Sequence, residues 1–416
     1  MTMRLRAILT VILALAILAL AACDHYNCSS GPMLSGGCTA GTVGISGGGG
    51  TGGSSSIVTL AYYVNNNQIG SVELNSSAQL LDTPNFVLET LPDGYLNSAA
   101  VIAQEQFLFV PYSSTGAAAA IYGWTIDGST GALTALTPLT VSDIVGLASA
   151  SQLTTPIITD STGSFLYLAD ARDNRIDVFQ IDPTSGVPNL LFQTTTTIPP
   201  WNLALDGLGR FLYVTEGNES GEGVGMEVFS INSATGALFN ETLMPTIKAM
   251  WQVQGEPIGN FMVGADGQTG LASAPLDPNV YVFSINSTSG ALTQVGKYPT
   301  TSGFGPTRVV VHPTGKYVYD FSLSTSTGFD APLDGFSLLN GVLTPLNLEA
   351  NTGDSGLTPP DGGFFDQSGA YLFIHAGSSL GVYNIDSTTG IPSEPTQPVG
   401  VGSGAVIYPW AVTDPE

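Results

Sequence analysis

Two carboxylates sit where they could do chemistry. Asp170 and Glu216 each follow a tyrosine by three residues, Tyr167 and Tyr213, in stretches that otherwise match closely, FLYLAD and FLYVTE. At one shared repeat position they would face a common cavity from consecutive units. Burial and mutual repulsion would then split their pKa values for acid/base work, or their oxygens would hold Ca²⁺. The competing reading makes them loop caps or solvated residues. The run Asp170, Arg172, Asp173, Arg175 and Asp177 reads as a loop that neutralises itself. Of the three histidines, His25 falls in a Gly/Ser-rich segment, and His312 stands in a column otherwise filled by Asp160, Asp206 and Asp366, which assigns it to a turn. His375 follows the apolar run YLFI, where it either faces a channel or packs inside. Trp201, Trp251 and Trp410 fall near the starts of expected strands. Pointing inward they would floor a cavity suited to stacking on a sugar or aromatic ring; pointing between sheets they are core.

These residues are positioned by a repeat. One element reads GWTIDGSTGAL, VFQIDPTSGV, VFSINSATGAL, VFSINSTSGAL, GFSLLNGVL and VYNIDSTTGI, with Gly131, Gly186, Gly236, Gly290, Gly341 and Gly390 spaced by 55, 50, 54, 51 and 49 residues. A weaker copy, SVELNSSAQL, brings the count to seven. Each copy is an apolar alternating strand, an Asp or Asn that starts a turn, a glycine that completes it left-handed, and a second strand. Upstream of each hairpin lies another strand, among them GSFLYLAD, GRFLYVTE, GNFMV, GKYVYD and GAYLFI, and before most of these a further strand opens near a proline. Four strands in about 50 residues make one propeller blade. The expected fold is therefore all-β, a seven-bladed β-propeller of four-stranded antiparallel blades over residues 57–416. The first copy starts at its second strand, and the tail YPWAVTDPE is a first strand without successors, so pairing of the C-terminal strand with the N-terminal blade would close the ring.

Composition agrees and narrows the partners. Lys and Arg number 9 against 33 acids, only 10% of residues are charged, and 43% are apolar. The apolar share excludes wholesale disorder, and the Gly and Pro content (51 and 26 residues) argues against a helical protein. So few cations cannot neutralise a phosphate backbone, so nucleic acid is excluded as a partner. Residues 1–22 begin with Arg4 and Arg6, continue apolar and end Leu-Ala-Ala before Cys23, the layout of a secretory signal. This end resembles the lipobox of bacterial lipoproteins, which implies lipidation at Cys23, a mature chain held on a membrane surface, and residence in the bacterial cell envelope. Residues 23–56 are a flexible Gly/Ser/Thr-rich tether with a reach of roughly 30 Å. Cys28 and Cys38 lie within it and either close a small disulfide loop or stay unpaired. The chain is expected to be a monomer.

The alternation of P-x-x-apolar-x-x-(D/H)-P-x-G-(K/R)-(F/Y)-apolar-Y-V with V-F-x-I-D-x-x-T-G-x-L, best seen across 306–319 and 228–238, resembles the seven-bladed lactonase family, which includes phosphogluconolactonase-type enzymes, and is close to the YVTN-repeat propellers. The resemblance covers about 57–416. It implies a ligand site at the central mouth, built by residues just after the proline of each inner strand. Here those are Trp201 and Asn202, Thr307 and Arg308, and Asp361. Only Arg308 keeps an expected residue type, displaced by one. Lactone opening needs a base to activate water and a cation or donor to hold the oxyanion. Arg308 would polarise the carbonyl, Glu216, Asp170 or His375 would activate water, and Trp201, Asn202, Trp410 and Asp361 would contact the ligand. Without residues 1–22 the net charge is −26, so a neutral sugar or aromatic lactone is favoured over a phosphorylated one. The alternative is a non-catalytic propeller that binds a glycan, a small molecule or a protein. No metal or cofactor is expected.

Overall fold

The computed structural model describes residues between Ile57 and Thr413. Outside its description lie 1–56 and, among the longer stretches, 76–84, 141–156, 244–259, 323–332, 349–361 and 401–410. All described regular elements are strands, and they form seven sheets.

The third sheet shows the plan. Ile157–Thr159, Phe165–Asp170, Arg175–Ile181 and Pro188–Thr195 pair antiparallel in chain order. The fourth to seventh sheets repeat this order, beginning with the first strands Pro200–Leu205, Phe261–Val263, Pro306–Val311 and Gly362–Phe365. The second sheet is built on Phe107–Ser114 and Ala117–Ile126, and each of its edge strands comes in two short pieces, Val101–Ala103 being one. The first sheet sets Ala411–Thr413 beside Ile57–Asn65, with Leu60 opposite Thr413 and Tyr62 opposite Ala411. First strands lie against one another in succession, from Ala411–Thr413 and Val101–Ala103 through to Gly362–Phe365. The result is an all-β propeller.

Strand alternation explains the cores. Along Phe165–Asp170, Leu166 and Leu168 pack on Phe107, Phe109 and Ile121 of the second sheet, while Phe165 and Tyr167 pack on Leu203, Leu212 and Val214 of the fourth. Every strand with two buried faces thus belongs to two layers, each large side chain contributing roughly 1.5–3 kcal/mol.

A polar joint recurs between sheets. Tyr167 donates its hydroxyl to Gly236 O at 3.2 Å, Tyr213 to Gly290 O at 3.0 Å, and Tyr319 to Gly390 O. The receiving glycine completes the hairpin of the following sheet. Gly236 has φ +72°, and a Cβ there would stand 2.6 Å from the Phe165 ring, so the turn needs glycine twice over.

One strand assignment is corrected. GNFMV is the first strand of the fifth sheet, and Thr269–Ala272 is the second. Its turn runs Gly264 to Gly267, with Gly264 where the other sheets carry Asp160, Asp206, His312 and Asp366. Asp266 caps the turn instead, accepting from the backbone N–H of Gln268 and Thr269. The missing aspartate removed the cue that marks this turn elsewhere.

Candidate functional site

The site residues gather where first strands begin and second strands end. In the fourth sheet Pro200 lies opposite Glu216 and Asn202 opposite Thr215, with a bulge at Trp201. In the sixth, Pro306 lies opposite Ser322 and Arg308 opposite Phe321, with a bulge at Thr307. A bulge inserts one residue and re-aims the strand after it. This accounts for the one-residue displacement of Arg308: Asn202 and Arg308 hold the same place, seven residues before the turn glycines Gly209 and Gly315. Asn260 holds it in the fifth sheet, seven before Gly267. Alternation with Ala204 and Val310 turns Asn202 toward the fifth sheet and Arg308 toward the seventh.

All these groups are buried. Arg308 is 7% exposed, Asn202 4% and Glu216 0%. The Glu216 carboxylate fills the space beside Gly225, where a Cβ would come within 2.9 Å of Oε2. Trp201 is buried as well, and neither its indole N–H nor the Thr215 hydroxyl has a hydrogen-bond partner among the described residues. Buried donors of this kind are energetically expensive unless something completes them.

Asp170 and Glu216 do not share a cavity. Asp170 alternates with Leu166 and Leu168 and turns toward the second sheet; Glu216 alternates with Leu212 and Val214 and turns toward the third. The third sheet stands between them. Arg175 holds Asp170 at 2.8 Å, Asp173 at 2.9 Å and Asp177 at 2.8 Å, so one guanidinium partly offsets three carboxylates. Burial pushes the Asp170 carboxyl above its ordinary range, against the pull of the Asp173 backbone N–H and of Arg175.

His312 is a turn residue. Its Nδ1 accepts from Thr314 N at 3.1 Å, which leaves Nε2 as the donor to Gly369 O of the next sheet at 2.9 Å. Burial holds its pKa below the usual histidine value. Arg210 makes the equivalent reach in the fourth sheet, from Nη2 to Gly267 O at 2.9 Å. His375 pairs with Gly362, which occupies the Arg308 place in the seventh sheet; its side chain is outside the description. Cys23, His25, Cys28, Cys38, Arg172, Trp251, Asp361 and Trp410 also lie outside the described residues. No group of three or more His, Cys, Asp or Glu among the described residues is placed to hold a metal ion.

Two buried acids were not singled out from the sequence. Glu227 accepts from Thr197 N at 2.9 Å, and Asp334 accepts from the Thr301 hydroxyl. Thr197 and Thr301 lie in the connections that lead into Pro200 and Pro306, so each acid anchors the entry to a site-bearing strand. The signal was there to be read: one acid interrupts the apolar alternation of MEVFSI and LDGFSL, two residues before the phenylalanine.

Comparison with known proteins gives a consistent answer. A family model described as lactonase, seven-bladed β-propeller, matches residues 112–250, which include Asp170, Trp201, Asn202 and Glu216. That stretch resembles the lactonase propellers, and the fold of the described chain is a β-propeller. The propeller is similar in structure to the periplasmic gluconolactonase of Pseudomonas aeruginosa, with a TM-score of 0.64 and 14% identity over 85% of this chain and 99% of that one. It is also similar to a protein from Lactobacillus plantarum, with a TM-score of 0.63 and 16% identity over 86% of this chain and all of the other. At these identities the two likenesses establish the fold alone. A search of curated proteins returns no match.

Proposed function

We propose that this propeller is a lipid-anchored lactone hydrolase of the bacterial cell envelope, acting on a neutral sugar or aromatic lactone at the mouth where its first strands begin. The seven sheets form one ring of seven blades, closed where Ala411–Thr413 joins the N-terminal sheet. The reading rests on a guanidinium and a carboxamide, Arg308 and Asn202, at the same repeat position just past a bulge in a lactonase-like propeller. Donors fixed before the reaction stabilise an oxyanion without reorganising as it forms.

In the reaction His375, which pairs with Gly362 in the sheet that Arg308 faces, takes a proton from water, and the hydroxide attacks the lactone carbonyl carbon. Arg308 holds the resulting oxyanion, the ring C–O bond breaks, and the departing alkoxide takes up the proton to give the open hydroxy acid. The strongly negative net charge and the shortage of cations favour an uncharged substrate. Export through the signal at 1–22 and lipidation at Cys23 place the enzyme on a membrane surface by a route that needs no spanning helix.

The experiment is titration of acid release from glucono-δ-lactone by the wild type and by Arg308→Ala, Arg308→Lys and His375→Ala. We expect Arg308→Ala to lose about 100-fold in kcat or more, and His375→Ala a comparable factor. A wild type that raises the rate no further than buffer does would refute the hydrolase. Ligand-dependent quenching of tryptophan fluorescence without turnover would identify the binding scaffold instead, with the Trp201 indole N–H and the Thr215 hydroxyl, which have no partner among the described residues, as its donors.

A further inference from the structure

The fifth sheet carries a side-chain clamp on the strand that bears Arg308. Asn260 Nδ2 donates to Val309 O at 2.9 Å, and Asn260 Oδ1 accepts from Val309 N at 2.8 Å. One carboxamide therefore engages both backbone polar groups of the residue that follows Arg308, as a neighbouring peptide would. The carboxamide is itself held. Ser273 Oγ donates to Asn260 Oδ1 at 2.9 Å and accepts from Asn260 N at 2.8 Å. Ser273 and Val309 are fully buried, and Asn260 nearly so.

We propose that Asn260, oriented by Ser273, is a positioning residue for Arg308; the inference rests on the hydrolase reading. A bulge frees a strand from its ladder at the point where it re-aims a side chain, and Thr307 is that point here. Arg308 comes next, and Val309 is the first residue beyond it. By gripping Val309 on its N–H and C=O together, Asn260 fixes the height and rotation of the backbone that carries the guanidinium. The neighbouring pair does not act alike. Asn202 and Thr215 occupy the same two places in the fourth sheet as Asn260 and Ser273 in the fifth, yet the Thr215 hydroxyl has no partner among the described residues, whereas the Ser273 hydroxyl is engaged twice. The inward-facing polar pair is thus used in the fifth sheet to fix the strand of the sixth.

The test is a double-mutant cycle on glucono-δ-lactone with Asn260→Ala, the milder Ser273→Ala, and each combined with Arg308→Ala, at a temperature where circular dichroism shows every variant folded. Misplacing a reacting group by about 1 Å costs roughly 100-fold in rate, so Asn260→Ala is expected to lower kcat by that order with KM little changed, and Ser273→Ala by about 10-fold. In the Arg308→Ala background neither substitution lowers the residual rate further. Equal losses in both backgrounds would show general destabilisation and overturn the proposal. A second readout needs no turnover. Phenylglyoxal modification of buried Arg308 should accelerate about 10-fold in Asn260→Ala, with amide exchange across 306–311 rising in parallel. A wild type without lactone turnover but with this acceleration would refute the hydrolase and keep the clamp; unchanged Arg308 reactivity and exchange would refute the clamp itself.

Discussion

Arg308, the proposed oxyanion donor, and Glu216 are each held by neighbours in a way that can be tested. The Glu216 carboxylate occupies the space a side chain at Gly225 would need, with 2.9 Å between Oε2 and an added Cβ. Gly225→Ala should therefore displace the carboxylate and cost about 1–3 kcal/mol in denaturant unfolding. A variant as stable as the wild type would show that the carboxylate is not confined there. The type and place of Glu216 were readable from the sequence because FLYLAD and FLYVTE align so closely. Its separation from Asp170 was not. That depends on which inter-sheet layer each residue enters, and two residues at one repeat position always enter different layers of a propeller. Arg308 seemed one residue out of place for the opposite reason: a bulge is a local change of ladder register that a linear pattern does not record.

At the scale of the element, hairpin and turn are the joints between sheets. The Tyr213 hydroxyl bonds Gly290 O in a fully buried setting, so Tyr213→Phe should cost about 1 kcal/mol in denaturant unfolding. Gly236→Ala meets both a left-handed φ and the Phe165 ring and should cost about 3 kcal/mol. Equal small losses for the two variants would show that the glycine is a turn residue only. His312 gives a pH signature. Burial lowers its folded pKa, so the unfolded chain binds that proton first as pH falls. Its contribution is complete above the ordinary histidine pKa of about 6.5 and declines below it. His312→Asn does not titrate there. The stability advantage of the wild type over this variant should therefore shrink between pH 7 and pH 5 in thermal melts, and a constant difference would contradict the burial argument. The turns themselves were legible as Asp-x-x-Gly runs, with His312 as a recognisable substitute, but the fifth sheet escaped because Gly264 removes the aspartate and moves the cap to Asp266. The tyrosine hydroxyl bonds were not legible, since a strand tyrosine reads simply as core until its partner turn, some 70 residues onward, is in place.

Across the whole molecule, sequence periodicity located the sheets because each repeat must bury two faces against its neighbours and cannot do so alone. The pairing of Ala411–Thr413 with Ile57–Asn65 ties the two ends of the propeller together. Deletion of 411–416 bares an edge of the first sheet, and we expect Tm to fall by roughly 10 °C with a rise in aggregation; an unchanged melt would show that this strand adds nothing to closure. The same scale bears on the proposed substrate. A net charge of −24 over the full sequence, with very few cations, repels an anionic lactone and leaves a neutral one unopposed. The most direct test is therefore the ratio of kcat/KM for glucono-δ-lactone to that for its 6-phosphorylated form, measured side by side at low salt on the chain from residue 23 onward. We expect efficient opening of the neutral lactone, at least about 10-fold preference over the phosphorylated one, and loss of that activity in Arg308→Ala. Equal or better turnover of the phosphorylated lactone, or neutral-lactone turnover that survives the loss of Arg308, would contradict this expectation.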